Sequence, residues 1–361
     1  MGKKLRIALI GFGRSGRDIH TKTLSYLPDL FEIVAGVEID AQRRDMMHAE
    51  LPAGCDVYES FEQLYGRTDI DFVINASFSH MHAPISKALL EHGFNVLCEK
   101  PLAHTAAEVE ALIAAEKASG KRLAIFQQSR FSLPYRKVLD VIASGVIGDV
   151  VQYSSANNGF SRRWDWQTVQ AFNAGSLYNT GPHPVDQALH FLNYDGMPQV
   201  TCFMNRANTW GDAEDHVKLI MTAPGKPVID VEISSCSAYP CDSIRVQGTR
   251  GGIRVSGSEV QWRYFKPEEA PAQKLLLQPL RDDKGQPLYC KEELIWHEDS
   301  WTIPAEHADS FKSNGVSFYN MLYTALTTGG PLEITPAQVL QQIAVMEESH
   351  KQCPLDRFVN Q

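Results

Sequence analysis

Over the first 125 residues, short apolar runs alternate with longer stretches in which apolar positions recur every three or four residues. The runs at 5–10, 33–37, 72–76, 96–98 and 123–126 read as buried strands. Between them, ISKALLEHG and TAAEVEALIAAEKASG read as amphipathic helices. The second has Thr105 as its cap, Glu108 three residues on and Gly120 as its stop. Strand–helix alternation of this kind predicts a parallel, doubly wound sheet.

Beyond Gln127 the period changes. One helix is expected over 134–144, ended by the SGVIGD turn. Two-residue alternation then dominates in VVQYSS, VKLIMTA and VIDVEIS, and IRVQGTRGGIRV carries a hairpin signal. Ile253 and Val255 alternate with polar neighbours, and after SGSE so do Val260, Trp262 and Tyr264. This predicts a large, mostly antiparallel open sheet with one buried face. Helices are expected near 301–313, 316–328 and 336–350, and the stretch 266–292 reads as an excursion at the sheet edge. The expected fold class is α/β with two domains, 1–127 and 128–361, and the helix at 336–350 is expected to pack near the first.

The turn after the first strand reads GFGRSG, residues Gly11, Phe12, Gly13, Arg14, Ser15 and Gly16. The G-x-G-x-x-G spacing is weak alone, but here it follows an apolar strand, precedes a helix-like segment and has an acidic residue further on. Gly11 permits the tight turn, Gly13 lets backbone approach a pyrophosphate, and Gly16 allows close helix–strand packing. The following helix N-terminus offers free N–H groups to phosphate. Glu38 ends the second strand 22 residues after Gly16. A carboxylate there accepts from a ribose diol and repels a 2′-phosphate, so NAD is expected over NADP. Arg43 and Arg44 either offset that repulsion or are solvated helix charges.

Two further segments carry candidate chemistry. The fourth strand runs into CEKPLA, which places Glu99 and Lys100 at the carboxyl edge of the sheet, where ligands bind in such folds. Further on, GSLYNTGPHPVDQALHFL spaces Asn179 and His183 four residues apart at a helix entrance. Asn-Thr-Gly-Pro is itself a helix start signal, so His183 is either part of that signal or a proton-handling group. His183, Asp186, Gln187 and His190 share one polar face, on which Asp186 either supports an imidazolium at His183 or is solvated.

Taken together, GFGRSG, the late acidic residue, CEKPLA, NTGPHPVD, SRFSLPYRKVLDVIASGVIGDV, GTRGGIRV and ITPAQVLQQIAVMEESH resemble the Gfo/Idh/MocA oxidoreductases over nearly the whole chain. The resemblance implies a Rossmann domain and a second α/β domain whose open sheet holds the substrate site and an oligomer interface, with a homodimer or homotetramer expected. It implies that Lys100 contacts both substrate hydroxyl and nicotinamide, and that His183 is the general acid/base. Asn179 stands where many members have aspartate, and an amide accepts no proton. Phe78 stands where members often have proline, while Ser77 and His82 keep their places near the expected cofactor. The implied reaction is hydride transfer between nicotinamide C4 and a secondary hydroxyl or ketone of a sugar or polyol, with Lys100 and His183 handling the proton and Asn179 positioning substrate. A redox-neutral variant, in which held NAD transiently oxidises a sugar before elimination, epimerisation or glycoside cleavage, fits the same residues. A silent dinucleotide sensor is the rival from another class.

Arg163, Trp164 and Trp166, in NNGFSRRWDWQTVQAF, suit sugar stacking and hydroxyl recognition, or equally packing at a contact. Gln128, for the cofactor, and Arg130, for the substrate, are the expected cleft residues at the domain junction. His80 and His82 lack a carboxylate partner, so no metal is expected. A net charge of −9, from 34 basic and 43 acidic residues, gives no footprint for nucleic acid or an anionic membrane. Seven cysteines without a CxxC pair, no membrane-length apolar run and no cleavage-site pattern after MGKKLRIALIGFG lead to an expected cytoplasmic protein.

Overall fold

The run LRIALI forms the strand β1 (Leu5–Ile10), with Ile7, Ala8 and Leu9 wholly buried, as in a parallel sheet covered on both faces. The computed structural model describes residues 2–239 and 241–359, so residues 1, 240, 360 and 361 of the expected domain spans lie outside it. From Arg14 to Thr21 the chain after β1 winds as a π-helix that passes into α1 (Lys22–Leu24). There follow β2 (Phe31–Val37), α2 (Ala41–Glu50), β3 (Asp56–Tyr58), β4 (Phe72–Asn75), α3 (His82–Glu91), β5 (Val96–Cys98), α4 (Ala106–Ser119) and β6 (Leu123–Ile125). The six strands are parallel, in the order β3-β2-β1-β4-β5-β6. The order reverses at β1, so the carboxyl ends of β1 and β4 open the crevice where doubly wound sheets take ligands.

After α5 (Leu133–Ala143) comes β7 (Val150–Asn158), then α6 (Ser176–Asn179) and α7 (Pro182–Phe191), which line the inner face of a second sheet. Its other strands are β8 (Gln199–Asn205), β9 (His216–Thr222), β10 (Val228–Ser234), β11 (Ile244–Gly248), β12 (Gly251–Ser256), β13 (Glu259–Phe265) and β14 (Trp296–Thr302). The order is β14-β13-β12-β11-β7-β10-β9-β8, antiparallel except for the central pair β7 and β10. Alternation sends Val217, Leu219 and Met221 inward against the helices, with half-buried residues between them.

The closing helices differ from expectation. Residues 296–302 form the edge strand β14, and one helix, α8 (Ser310–Thr328), replaces the two expected near 301–313 and 316–328. Asp309 caps α8 by accepting from Lys312 N at 3.0 Å. Gly315 does not break it: a Cβ there would come within 2.9 Å of Thr23 Cγ2, so the glycine serves close packing on α1. The last helix, α9 (Pro336–Gln352), lies against α4, where Glu347 accepts from Ala106 N at 2.8 Å. The excursion between β13 and β14 leaves Leu275, Leu276 and Leu277 exposed.

Candidate active site

At the crevice, sterics fix the glycines. Gly11 has φ +89°, and a Cβ on it would stand 2.4 Å from the carbonyl oxygen of Ala76. A Cβ on Gly16 would stand 1.9 Å from the Gly11 oxygen. At Gly13 a Cβ would meet only Arg43 Nη1, at 3.6 Å, so this face of the turn is open for a pyrophosphate to approach. Phe12, Arg14 and Ser15 complete the turn. Glu38 lies beneath it, its carboxylate accepting from Phe12 N at 2.7 Å and Asp40 N at 3.1 Å. Arg44 is pinned on the carbonyls of Glu38 and Ile39 at 2.8 Å each, whereas Arg43 overhangs the turn. The residues fit a dinucleotide: an open glycine face, a helix entrance and a carboxylate at the end of β2.

Below the crevice, β5 delivers Glu99 and Lys100. Glu99 is buried; burial works to raise its pKa, but His20 and the charges of His20, Lys100 and His82 outweigh it and hold the carboxyl at about 2. His20 Nε2 lies 3.2 Å from Glu99 Oε1, and His20 Nδ1 meets Tyr319 Oη at 2.7 Å, which ties α8 to the motif. Glu99 also accepts from Lys100 N at 3.0 Å, so its carboxylate faces protein rather than the crevice. His82 is likewise committed, with Nδ1 2.7 Å from Pro101 O and Nε2 3.1 Å from Ser77 O. Neither ring nitrogen is left for a cofactor, which corrects the expectation for that side chain. Ser77 Oγ donates to Asn75 Oδ1 at 2.7 Å.

Lys100, just after β5, and His183, in the first turn of α7, come together. Lys100 Nζ donates to the backbone carbonyl of Asn179 at 2.9 Å. The Asn179 side chain instead accepts from Gln167 Nε2 at 3.1 Å. Glu214 fixes α6 by accepting from Leu177 N at 2.8 Å, and Tyr178 ties it to the first domain by donating to His104 O at 2.7 Å. Burial lowers the Lys100 pKa; Glu99 opposes that, and Arg14 and Arg163 add to it. His183 is pushed down to about 3 by burial and the Lys100 charge, with Glu99 opposing, so its imidazole is neutral at ordinary pH. Ser129 Oγ holds His183 Nδ1 at 3.0 Å, with Gln127 Nε2 3.5 Å away. Nε2 has no hydrogen-bond partner among the described residues. His183 also forms part of the wall of a cavity of about 350 Å³, which Gln128 and Ser129 share. Ser129 and Gln127 were passed over in the sequence, although in QQSR Ser129 lies between the expected cleft residues Gln128 and Arg130 and Gln127 adjoins the first of them.

Other expected site residues go elsewhere. Arg130 does not reach a substrate: all five of its N–H groups are taken. Nε donates to Asp186 Oδ2 at 3.0 Å, Nη1 to Glu333 O and Gln338 Oε1 at 2.9 Å each, and Nη2 to Asp186 Oδ1 and Tyr194 Oη. Asp186 is therefore neither solvated nor a support for His183. Trp166 packs edge-on against Phe78 at 5.0 Å, in a cluster with Phe172 and His80 that joins the domains. Phe78 thus anchors the 157–172 loop, which accounts for the departure from proline. Trp164 is 79% exposed beside Trp210, and Arg163 pairs with Asp165 at 2.7 Å and with Gln167, reaching Asn179 only through the latter. No cluster of three potential metal ligands occurs among the described residues, and no described helix is long and apolar enough to cross a membrane.

Residues 5–127 match the model of an oxidoreductase family with an NAD-binding Rossmann fold, and residues 135–254 match the GFO/IDH/MocA C-terminal domain. An inositol 2-dehydrogenase from Salmonella typhimurium is 30% identical over 239 residues, covering 66% of this chain and 69% of the relative. The scyllo-inositol 2-dehydrogenase (NADP(+)) of Bacillus subtilis is 24% identical over 350 residues, 95% of this chain and 92% of its own. Among solved structures, an NAD-binding protein from Listeria innocua superposes with a TM-score of 0.77 at 20% identity, covering 97% of both chains.

Proposed function

The chain belongs to the GFO/IDH/MocA oxidoreductases, an enzyme family with an NAD(P)-binding Rossmann domain, and we propose that it oxidises a secondary hydroxyl of a sugar or polyol with NAD. The observation that carries this reading is the convergence of Lys100, bonded to Asn179 O at 2.9 Å, with a neutral His183 at the wall of a cavity.

When bound, the nicotinamide supplies the hydride acceptor. The hydroxyl proton goes to Lys100, whose amine, made easier to deprotonate by burial, is the better matched base. A histidine held at about 3 is a weak proton acceptor but an uncharged hydrogen-bond partner, so His183 orients the hydroxyl through Nε2 while Ser129 fixes its ring. This moves the weight of proton transfer from the pair towards Lys100. Asn179 contributes its carbonyl to Lys100 and, through Gln167, a fixed amide at the cleft. Glu38 favours NAD over NADP by placing a carboxylate at the end of β2. The relative named for NADP(+) makes that preference a point for direct measurement.

Seven free thiols fit a reducing compartment such as the cytoplasm. Exposed Val151, Phe203 and Val228 on the second sheet suit a homodimer or homotetramer. The test is a sugar and polyol panel followed by NADH absorbance, with nucleotide released on denaturation identified in parallel. Lys100→Met should lower kcat by about 10²–10⁴-fold. Full activity in that variant refutes the assignment. Retained nucleotide with product formation but no net NADH would point to the redox-neutral use.

A further inference from the structure

The cavity beside His183 has a wall of neutral polar and apolar side chains. Its volume is about 350 Å³, and no aspartate, glutamate, lysine or arginine lines it. Gln128, Ser155, Asn157, Ser243, Ser310 and Asn314 contribute hydroxyls and amides from the domain junction, the sheet and the start of α8. Its ionisable groups are imidazoles: His183, held neutral, and His307, exposed beside Ser313 Oγ at 3.2 Å. The side chains of Ser155 and Asn157 make no hydrogen bond among the described residues.

A second observation points to a ligand. Gln128 is 8% exposed, yet its buried Oε1 has no partner among the described residues. A buried acceptor without a partner costs free energy unless something donates to it. A hydroxyl arriving in the cavity would do so.

Resting on the dehydrogenase reading above, we infer that the substrate is uncharged: a polyhydroxy compound whose hydroxyls are read by Gln128, Ser155 and Asn157, with acidic and phosphorylated sugars rejected. Space alone does not exclude such sugars, because a cavity of this size holds a monosaccharide with a substituent. Exclusion comes from desolvation. A carboxylate or phosphate entering the cavity gives up its water and meets no cation. Lys100, which acts at the reacting hydroxyl, is not part of this wall, and neither is Arg163, which is paired with Asp165.

The experiment compares kcat/KM at saturating NAD and fixed ionic strength for uncharged aldoses and cyclitols against D-glucuronate and D-glucose 6-phosphate. The expected result is at least about a 100-fold preference for the uncharged class. Gln128→Met should cut kcat/KM for the favoured substrate about tenfold or more, with Tm unchanged. Ser310→Lys, which places a cation on the wall, should narrow the discrimination against glucuronate. Equal or better turnover of the acid or phosphate by the native protein overturns the inference while leaving the dehydrogenase reading intact. No turnover of either class counts against the dehydrogenase reading and removes this inference with it.

Discussion

Arg130→Met separates the structural role assigned to this arginine from the substrate role that its place in the sequence suggests. Arg130 is 1% exposed and Asp186 is fully buried, and the two are joined by a two-pronged ion pair. Removing the guanidinium strands the Asp186 carboxylate with, among the described residues, only Tyr194 Oη donating to it, at 2.6 Å. It also leaves the carbonyl of Glu333 without its side-chain donor, while Gln338 Oε1 keeps Thr335 N at 3.1 Å. Breaking one side of a buried pair costs about 3–5 kcal/mol. For a domain of this size, each kcal/mol moves Tm by about 2–4 °C, so the expected fall is roughly 6–20 °C. Thermal and urea unfolding followed by far-UV circular dichroism reads it directly. Replacing both partners, Arg130→Met with Asp186→Leu, should recover most of the loss, because an apolar pair of similar volume is close to neutral against a buried ion pair. If Arg130→Met instead leaves Tm within about 2 °C of the parent, less than one kcal/mol on this scale, and raises KM strongly, the guanidinium serves substrate and the structural assignment is wrong.

Stability should fall on acidification from about pH 6.5, because His183 titrates near 6.5 when unfolded but at about 3 when folded, so the unfolded chain binds the extra proton. That contribution is complete above the unfolded pKa and drains at up to about 1.4 kcal/mol per pH unit as pH falls towards 3; Glu99, held at about 2, adds a second loss below about 4.5. Urea midpoints at several pH values, compared with His183→Asn, isolate the histidine from His82, His104 and His190, which burial also depresses, and from His350, which Glu214 raises against burial. An identical slope in the variant would sink the assignment. Asn179→Ala should keep kcat within a few-fold and act mainly on KM, since Lys100 is held by a backbone carbonyl. A kcat loss as large as that of Lys100→Met would mean the amide side chain acts in the chemical step. Glu38→Ser should raise the NADP/NAD ratio of kcat/KM at least about tenfold, by removing a carboxylate at the end of β2 from a turn that Arg43 overhangs. An unchanged ratio would show that Glu38 does not face the ribose.

How much of this was legible in the chain follows from which forces act locally. Strands buried on both faces must be apolar throughout, so β1, β4 and β5 are visible as runs. Edge strands carry no such demand: WHEDSWT in β14 exposes most of its residues, and only pairing with β13 makes it a strand. The glycine turn was equally legible, because the clash that requires Gly11 and Gly16 lies within the turn and its neighbouring strand. The polar face of α7 shows where the limit falls. One stripe of four residues splits in three dimensions into two pairs with different partners. His183 and Gln187 face Ser129, whereas Asp186 and His190 face Arg130 and Tyr135. Helix periodicity says which residues share a side, but the partner of each is set by a distant segment, in this case the turn after β6 and the start of α5. The contact that fixes Lys100 is harder still, since a backbone carbonyl is present at every residue and leaves no mark on sequence. Asn179 therefore matters first for where its peptide stands and only second for the amide it carries, and that position is set by Glu214 and Tyr178, which hold α6 in place.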